Sequence, residues 1–314
     1  MRTDLGDEML TNETLQDSIW YADNLAVLAR IPDGSIPLIY IDPPFNTGRT
    51  QSHTRLRTVR DPNGDRTGFQ GRPYRTTRLS THSYADFFDD YLAFLEPRLS
   101  EAHRVLAPNG TLYVHLDYRE VHYVKVLLDE VFGRTCFLNE VIWAYDFGGR
   151  SRRRWPAKHD NILVYVKSPD DYVFNVADID RVPYMAPGLV GPEKAARGKL
   201  PTDTWWQTIV ATSGKERTGY PTQKPLVLAR RIIQASSNPG DLVLDFFAGS
   251  GTTGIAAREL GRRFLLVDDN LDALDVMKRR FADVGDVRFL GYDAREGGGD
   301  APNKHADGKE RTQS

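Results

Sequence analysis

One cysteine, Cys136, stands in a chain of 314 residues. No intrachain disulfide can form, and no zinc site built on several thiolates is possible. That usage fits a reducing compartment, so a cytoplasmic location is expected. No apolar run approaches the roughly 20 residues a membrane-spanning helix needs, and no membrane partner is expected. The opening residues, MRTDLGDEML, are acidic and polar, unlike a secretory signal. The seven histidines show no ligand spacing, so no metal is expected. Strong net charge is also missing: 41 Lys and Arg against 43 Asp and Glu leave −2. By itself that total argues neither for nor against a nucleic-acid partner.

Hydrophobic residues make up 40% and charged residues 27%, the balance of a soluble globular chain. The length suffices for one large α/β domain, or a domain with a smaller one attached. The most pointed local feature is Asp42-Pro43-Pro44-Phe45, directly after the apolar run Leu38-Ile39-Tyr40-Ile41. Such a run reads as a buried strand. Two prolines at its end stop the hydrogen-bond ladder and stiffen the backbone. A carboxylate, two stiff carbonyls and an aromatic face are thereby held at the mouth of a sheet. That set suits a planar ring bearing an amine, which points to chemistry on a nucleobase.

Along the chain, Ser18–Ala22 reads as a short strand, and Asp23 can cap the helical pattern Leu25-Ala26-Val27-Leu28. The turn Pro32-Asp33-Gly34 leads into the strand that ends at Asp42. Residues 46–80 are Arg-rich, without a clear period, and read as a long loop. Ser83–Leu106 reads as a helix that Pro97 should bend or split. Asn109-Gly110 turns into a strand over Thr111–Leu116, followed by a helix near Arg119–Val131 that Gly133 ends. Val141–Tyr145 and Asn161–Val166 read as strands. Residues 168–220 are irregular and rich in Pro, Gly and aromatics, the candidate for a small inserted specificity region. Pro225 should open a helix at its first position. Strands over Asp241–Phe246, Phe264–Val267 and Val287–Leu290 then alternate with helices. Residues 296–314 are polar and expected to be a disordered tail. The alternation argues for an α/β fold: a doubly wound, mostly parallel sheet with helices on both faces.

Asp245-Phe246-Phe247-Ala248-Gly249-Ser250-Gly251-Thr252-Thr253-Gly254 follows one strand and opens a helix. Glycines let a ligand approach the backbone, and the helix start offers free amides. One strand later, Asp268 stands where an acid can accept both ribose hydroxyls of a nucleoside. Strand alternation favours it over its neighbour Asp269. The spacing Gly249, Gly251, Gly254 also fits GxGxxG, so a dinucleotide oxidoreductase is an alternative. No Walker-type lysine follows, which argues against a nucleotide triphosphatase.

Positive charge is clustered although the total is not. Arg49, Arg55, Arg57, Arg60, Arg66, Arg72, Arg75 and Arg78 crowd one segment. Arg150, Arg152, Arg153, Arg154, Lys158 and His159 form a second cluster. Such stripes bind phosphates even on a near-neutral protein, although a solvated loop is the plainer reading. Trp205-Trp206 can stack in nucleic acid or fill the core of the irregular region.

Together the motifs resemble the DNA amino-methyltransferases that use S-adenosylmethionine. The tetrapeptide, followed by Asn46-Thr47-Gly48, precedes the glycine loop, an order similar to the β group of that family. The group includes modification subunits of restriction systems and orphan adenine methylases. Residues 110–117, 158–165 and Tyr220-Pro221-Thr222-Gln223-Lys224-Pro225 also resemble family segments, so the likeness covers about residues 18–280. It implies a seven-stranded-type Rossmann-like sheet. Residues 18–167 would be the catalytic half, 168–220 a target-recognition insertion and 221–295 the cofactor half. Asp42, Pro43, Pro44 and Phe45 fall on the catalytic motif. Phe247, Ala248, Gly249, Ser250 and Gly251 fall on the cofactor loop, between Asp245 and Thr252. Asp268 falls on the ribose acid, Thr222 and Lys224 on the segment holding the methionine moiety, and Asp23 on an adenine contact. Phe45 replaces the usual tyrosine, Asp269 replaces a commoner apolar residue, and the Arg49–Ser80 insertion is unusually basic. The implied partners are double-stranded DNA, a cognate restriction endonuclease and a second copy of the chain.

The implied chemistry suits these residues. An exocyclic amine is conjugated with its ring and is a poor nucleophile. Asp42 and the Pro43 carbonyl can accept its two N–H bonds and localise the lone pair. Asp42 is also the natural proton acceptor, and such assistance contributes ~10²–10⁴-fold. The base must leave the duplex stack, and Phe45 would stack on it. An initial Asp resembles adenine-N6 enzymes more often, so adenine is favoured and cytosine-N4 is the alternative. An NAD-dependent oxidoreductase would leave the tetrapeptide unexplained. A catalytically silent DNA-binding subunit would leave its intact motifs without a purpose.

Overall fold

The computed structural model describes residues 9–46, 49–60, 66–67, 73–86, 88, 90–211 and 213–291, with 49–86 known mainly by its backbone. The short helix α1 (Asn12–Leu15) leads into β1 (Ser18–Tyr21), α2 (Asn24–Leu28) and β2 (Ile36–Ile41). An antiparallel ribbon follows: β3 (Arg49–Arg60), β4 (Arg66–Thr67) and β5 (Pro73–Asp86). Next come α3 (Tyr91–Val105), β6 (Leu106–Leu116), α4 (Val121–Phe132), β7 (Phe137–Ala144) and β8 (His159–Val166). The stretch 168–220 contributes α5 (Pro192–Arg197) and β9 (Thr204–Trp206). The remaining elements are α6 (Leu226–Ser236), β10 (Leu242–Asp245), α7 (Thr252–Glu259), β11 (Arg263–Asp268), α8 (Leu271–Arg280) and β12 (Arg288–Leu290).

Among the described residues, the main sheet runs β12-β1-β11-β10-β2-β6-β8-β7-β9, and β8 alone opposes the others. Its nine strands exceed the seven-stranded-type expectation. One addition, β9, comes from the irregular stretch and pairs with β7 because Trp205 buries its ring in the core, over Arg231. The parallel strands are buried on both faces, as helices on either side require. Ile39 and Ile41 pack with α2, α3 and α4, whereas Leu38 and Tyr40 pack with α6, α7 and α8. Val243 and Leu244 pair with Leu38 and Ile39, so the Asp42 strand lies beside the Asp245 strand. From β10 the sheet continues to β11 on one side, and from β2 to β6 on the other. A crevice opens beyond the strand ends at such a switch point. No helix of the described residues is long and apolar enough to cross a membrane.

Several local expectations are corrected. Residues 49–60 and 73–86 form paired strands rather than a loop, with Arg49 opposite Asp86 and Arg60 opposite Tyr74. Thr-rich strands of this kind follow β propensity without an apolar alternation. The helix expected from Ser83 starts at Tyr91, where Asp90 accepts from the Ala93 amide at 2.9 Å. Pro97 does not split it: α3 runs unbroken from Tyr91 to Val105 with the proline inside, and the Arg98 guanidinium donates to the Phe94 carbonyl at 2.6 Å. Pro225 caps α6 instead of occupying its first turn. The 296–314 segment lies outside the described residues.

Candidate active site

A cleft of about 360 Å³ opens at the switch point. Asp42, Pro43, Pro44 and Phe45 line it from β2, and Asp245, Phe247, Ala248, Gly249, Ser250 and Thr252 line it from β10 and its loop. Asp23, Thr222, Lys224 and Asp268 complete the sequence-derived set there. Lys224 forms an ion pair with Oδ2 of Asp42, and its ammonium lies 4.8 Å from the centre of the Phe45 ring. The other oxygen, Oδ1, is buried and has no hydrogen-bond donor. Tyr91 donates its hydroxyl to the Pro44 carbonyl at 2.6 Å and so pins the second proline. Asn46, in the left-handed region with φ 49°, donates to Glu120 at 2.9 Å and accepts from the Phe88 amide at 3.1 Å. The turn after the tetrapeptide is thus tied to both α4 and the segment entering α3.

The glycine loop is braced by acids. Asp245 accepts from the Thr253 hydroxyl at 2.6 Å and the Phe247 amide at 3.0 Å. Asp268 accepts from the amides of Gly249 at 2.7 Å and Asn270 at 2.9 Å. Gly251 lies behind the loop, away from the lining. Its φ is +72°, and a Cβ there would meet Phe281 at 2.8 Å and Met277 at 2.9 Å. Its requirement for glycine is therefore packing against α8, whereas Gly249 presents backbone to the cleft beneath Tyr220.

Burial pushes the Asp245 carboxyl up to about 7 and that of Asp268 up to about 6. Both values lie above the ordinary 3.8, so the folded state holds these protons after the unfolded chain has lost them. Their contribution to stability is full below the unfolded value and is lost as pH rises through the folded ones. Asp245→Asn should therefore flatten the fall in melting temperature between about pH 4 and about pH 7. An unchanged slope in that variant would remove Asp245 as its source.

Beneath the tetrapeptide lies a polar network that the sequence does not announce. His115, on β6, is 0% exposed. Nδ1 is 3.0 Å from the Tyr40 hydroxyl and Nε2 is 3.1 Å from Oδ2 of Asp160. Its ring stacks under Phe45 at 6.0 Å, and Trp143 meets it edge-on at 5.5 Å. Tyr145 donates to the second oxygen of Asp160 at 3.0 Å. Burial works against ionised Asp160, but the His115 contact, the Lys224 charge and the Tyr145 bond outweigh it and hold its carboxyl below the usual range. Burial first, then the nearby Asp42 charge, hold the Tyr40 hydroxyl well above its ordinary value.

Other lining residues also escaped the sequence reading. Asn24 donates to the Phe246 carbonyl at 3.0 Å and accepts from Arg98 at 2.8 Å, joining α2, α3 and the glycine loop. Phe88 and Phe94 add an aromatic wall. Asp23, by contrast, caps α2 as the sequence suggests, through the amides of Leu25 at 3.0 Å and Ala26 at 3.4 Å.

Among the described residues, neither basic cluster contributes to the cleft lining. Arg49, Arg55 and Arg57 are on β3, whose side chains fall outside the described residues. Arg150, Arg152, Arg153 and Arg154 are exposed on the loop between β7 and β8, and Lys158 is half-buried there. The tryptophan pair divides: Trp205 is core, while Trp206 is 73% exposed.

Comparisons with known proteins identify relatives of the chain as a whole. Residues 36–279 match the family described as DNA methylase. A type II methyltransferase of Haemophilus parainfluenzae, M.HpaI, is 32% identical over 270 residues, covering 86% of this chain and 74% of its own. The DNA adenine methyltransferase YhdJ of Escherichia coli K12 is 30% identical over 293 residues, covering 89% and 87%. The structure of the M1.HpyAVI–SAM complex superposes with a TM-score of 0.54 at 22% identity, covering 84% of this chain and 98% of that one. The chain belongs to the DNA methylase family and is a DNA methyltransferase.

Proposed function

We propose that this enzyme transfers a methyl group from S-adenosylmethionine to N6 of an adenine flipped out of double-stranded DNA. The observation that carries the reading is Oδ1 of Asp42, buried without a donor in the cleft that the glycine loop also lines. A buried acceptor of this kind takes its donor from a ligand or an ordered water, and this one lines the cleft. An exocyclic amine supplies two, one for Asp42 and one for the Pro43 carbonyl.

The lining fits the cofactor. Asp23, Asp42, Asp245, Asp268 and Asp269 face the cleft, with Arg98 and Lys224 as the cations. That balance favours a ligand bearing a sulfonium and an ammonium and disfavours the pyrophosphate of a dinucleotide. The SAM bound in the M1.HpyAVI complex supports the same cofactor. Bound S-adenosylmethionine supplies an electrophilic methyl on positively charged sulfur. Asp268 and Asp23 would hold the nucleoside, and Thr222 and Lys224 the methionine end. Phe45 would stack on the base, while Asp42 would accept the proton that the amine loses as the N–C bond forms. The kinship with YhdJ, a DNA adenine methyltransferase, supports adenine over cytosine. Arg49, Arg55, Arg57, Arg150, Arg152, Arg153, Arg154 and Lys158 would contact DNA phosphates. A cognate restriction endonuclease and a second copy of the chain are the further partners in this reading, which places the protein in the cytoplasm.

Expression in a methylation-free host, followed by single-molecule sequencing of its DNA, tests the reading. N6-methyladenine at one recurrent sequence is expected. N4-methylcytosine there would overturn the choice of base, and unmodified DNA despite folded protein that binds the cofactor would overturn the reaction.

A further inference from the structure

Trp155 is 95% exposed, the most exposed large hydrophobic side chain among the described residues. A tryptophan carries a large apolar surface, and leaving nearly all of it in water gives no folding advantage. Its place in the fold is specific. β2 and β6 are parallel, with Ile41 beside Val114, and Val114 pairs with Leu163 of antiparallel β8. The β8 start and the β7 end therefore emerge at the same edge as Asp42. Ala144 pairs with His159, four residues beyond the Leu163 row and so roughly 13 Å further out at this edge. The Trp155 loop springs from that point.

Internal contacts shape the loop. Tyr145 donates its amide to the Lys158 carbonyl at 2.9 Å, and the Lys158 ammonium reaches the Gly148 carbonyl at 3.0 Å. The Ser151 hydroxyl accepts from the amides of Arg153 and Arg154, each at 3.2 Å. Arg154 reaches the Tyr118 hydroxyl at 3.4 Å, two residues before Glu120, which binds Asn46 next to Phe45. A short chain of contacts thus connects the Trp155 loop to the catalytic tetrapeptide. Trp206, also exposed, is fixed in a paired strand and lacks the flanking arginines.

We propose that Trp155 is a DNA wedge, entering the base stack beside the target and occupying space that the flipped base leaves. The exposed arginines before it meet the phosphates on either side, and Pro156 stiffens the chain just after the ring. Apolar side chains inserted between base steps offset the cost of unstacking. A protein partner is the competing occupant, but four flanking arginines match a polyanion better.

The inference rests on the DNA-methylation reading, and its test uses the recognition site mapped as above. Trp155→Ala, Trp155→Phe and an Arg152/Arg153/Arg154→Ala triple variant are compared on two duplexes, one with the target base paired and one with it mispaired. Trp155→Ala should lose about tenfold or more in kcat/KM on the paired duplex and regain activity within about threefold of wild type on the mispaired one. Trp155→Phe should fall between. The triple variant should lose affinity on both duplexes and show a shallower salt dependence. Wild-type rates for Trp155→Ala on the paired duplex, or equal losses on both, would overturn the wedge. Inactive wild-type protein would instead overturn the underlying reading.

Discussion

Asp42→Asn should slow methyl transfer by about 10³-fold or more, with a much smaller change in cofactor affinity. The size follows from the Lys224 contact. Asparagine has one oxygen, and the Lys224 ammonium, which binds Oδ2 in the parent, will hold it. The amide nitrogen then takes the place of Oδ1, the oxygen without a donor. It presents N–H bonds to an amine that needs acceptors, and it cannot take a proton. The substitution removes the base and adds a donor clash, although its shape is nearly conserved. Asp42→Ala leaves the ammonium uncompensated beside a cationic cofactor, so it should weaken cofactor binding more than Asp42→Asn does. Lys224→Gln in the Asp42→Asn background frees the amide to turn its oxygen toward the base. The double variant should therefore lose less than the sum of the single changes. Single-turnover transfer of labelled methyl gives the rates, and calorimetry gives the cofactor affinity. Near-parental turnover of Asp42→Asn would show that Asp42 does not carry the reaction.

The difference between what was legible in the sequence and what was not follows from chain separation. Asp42-Pro43-Pro44-Phe45 and the Asp245–Gly254 loop are local events in which an apolar run, punctuation and a helix start fall within a few residues. Each could be placed at a strand end from sequence alone, and both line one cleft. The mostly parallel, doubly wound sheet followed from alternating strands and helices, whereas the strand order and the edge strand β9, whose pairing depends on a buried Trp205, did not. The ribbon of β3 and β5 was missed because Thr, Ser, His and Arg carry no apolar period. The supports of the site were missed for a different reason. Asn24 meets the Phe246 carbonyl 222 residues away, and Tyr40 meets His115 across 75. Within β6, His115 looks like one more residue of an apolar strand. Its role arises from neighbours on β2, β7 and β8 that only the folded sheet brings together.

His115→Ala should therefore damage the fold and the site together. The change leaves the buried Tyr40 hydroxyl and one oxygen of Asp160 without their partner, and it opens a void under Phe45. A cavity plus an under-satisfied buried carboxylate costs roughly 3–5 kcal/mol. At ~2–4 °C per kcal/mol, the melting temperature should fall by roughly 6–20 °C. His115→Phe separates the two effects. It refills the void and gives Phe45 a ring to rest on, yet makes neither hydrogen bond. Its melting temperature should remain well below wild type, while its KM for DNA stays near the wild-type value. His115→Ala should raise KM, because Phe45 can sink away from the plane in which it would stack on the base. Differential scanning calorimetry and steady-state methylation on the mapped site supply both readings. If His115→Ala melted with wild type, the buried network would contribute nothing to stability. If both variants raised KM equally, Phe45 would be positioned by the hydrogen bonds through Tyr40 and Asp160 rather than by the ring beneath it.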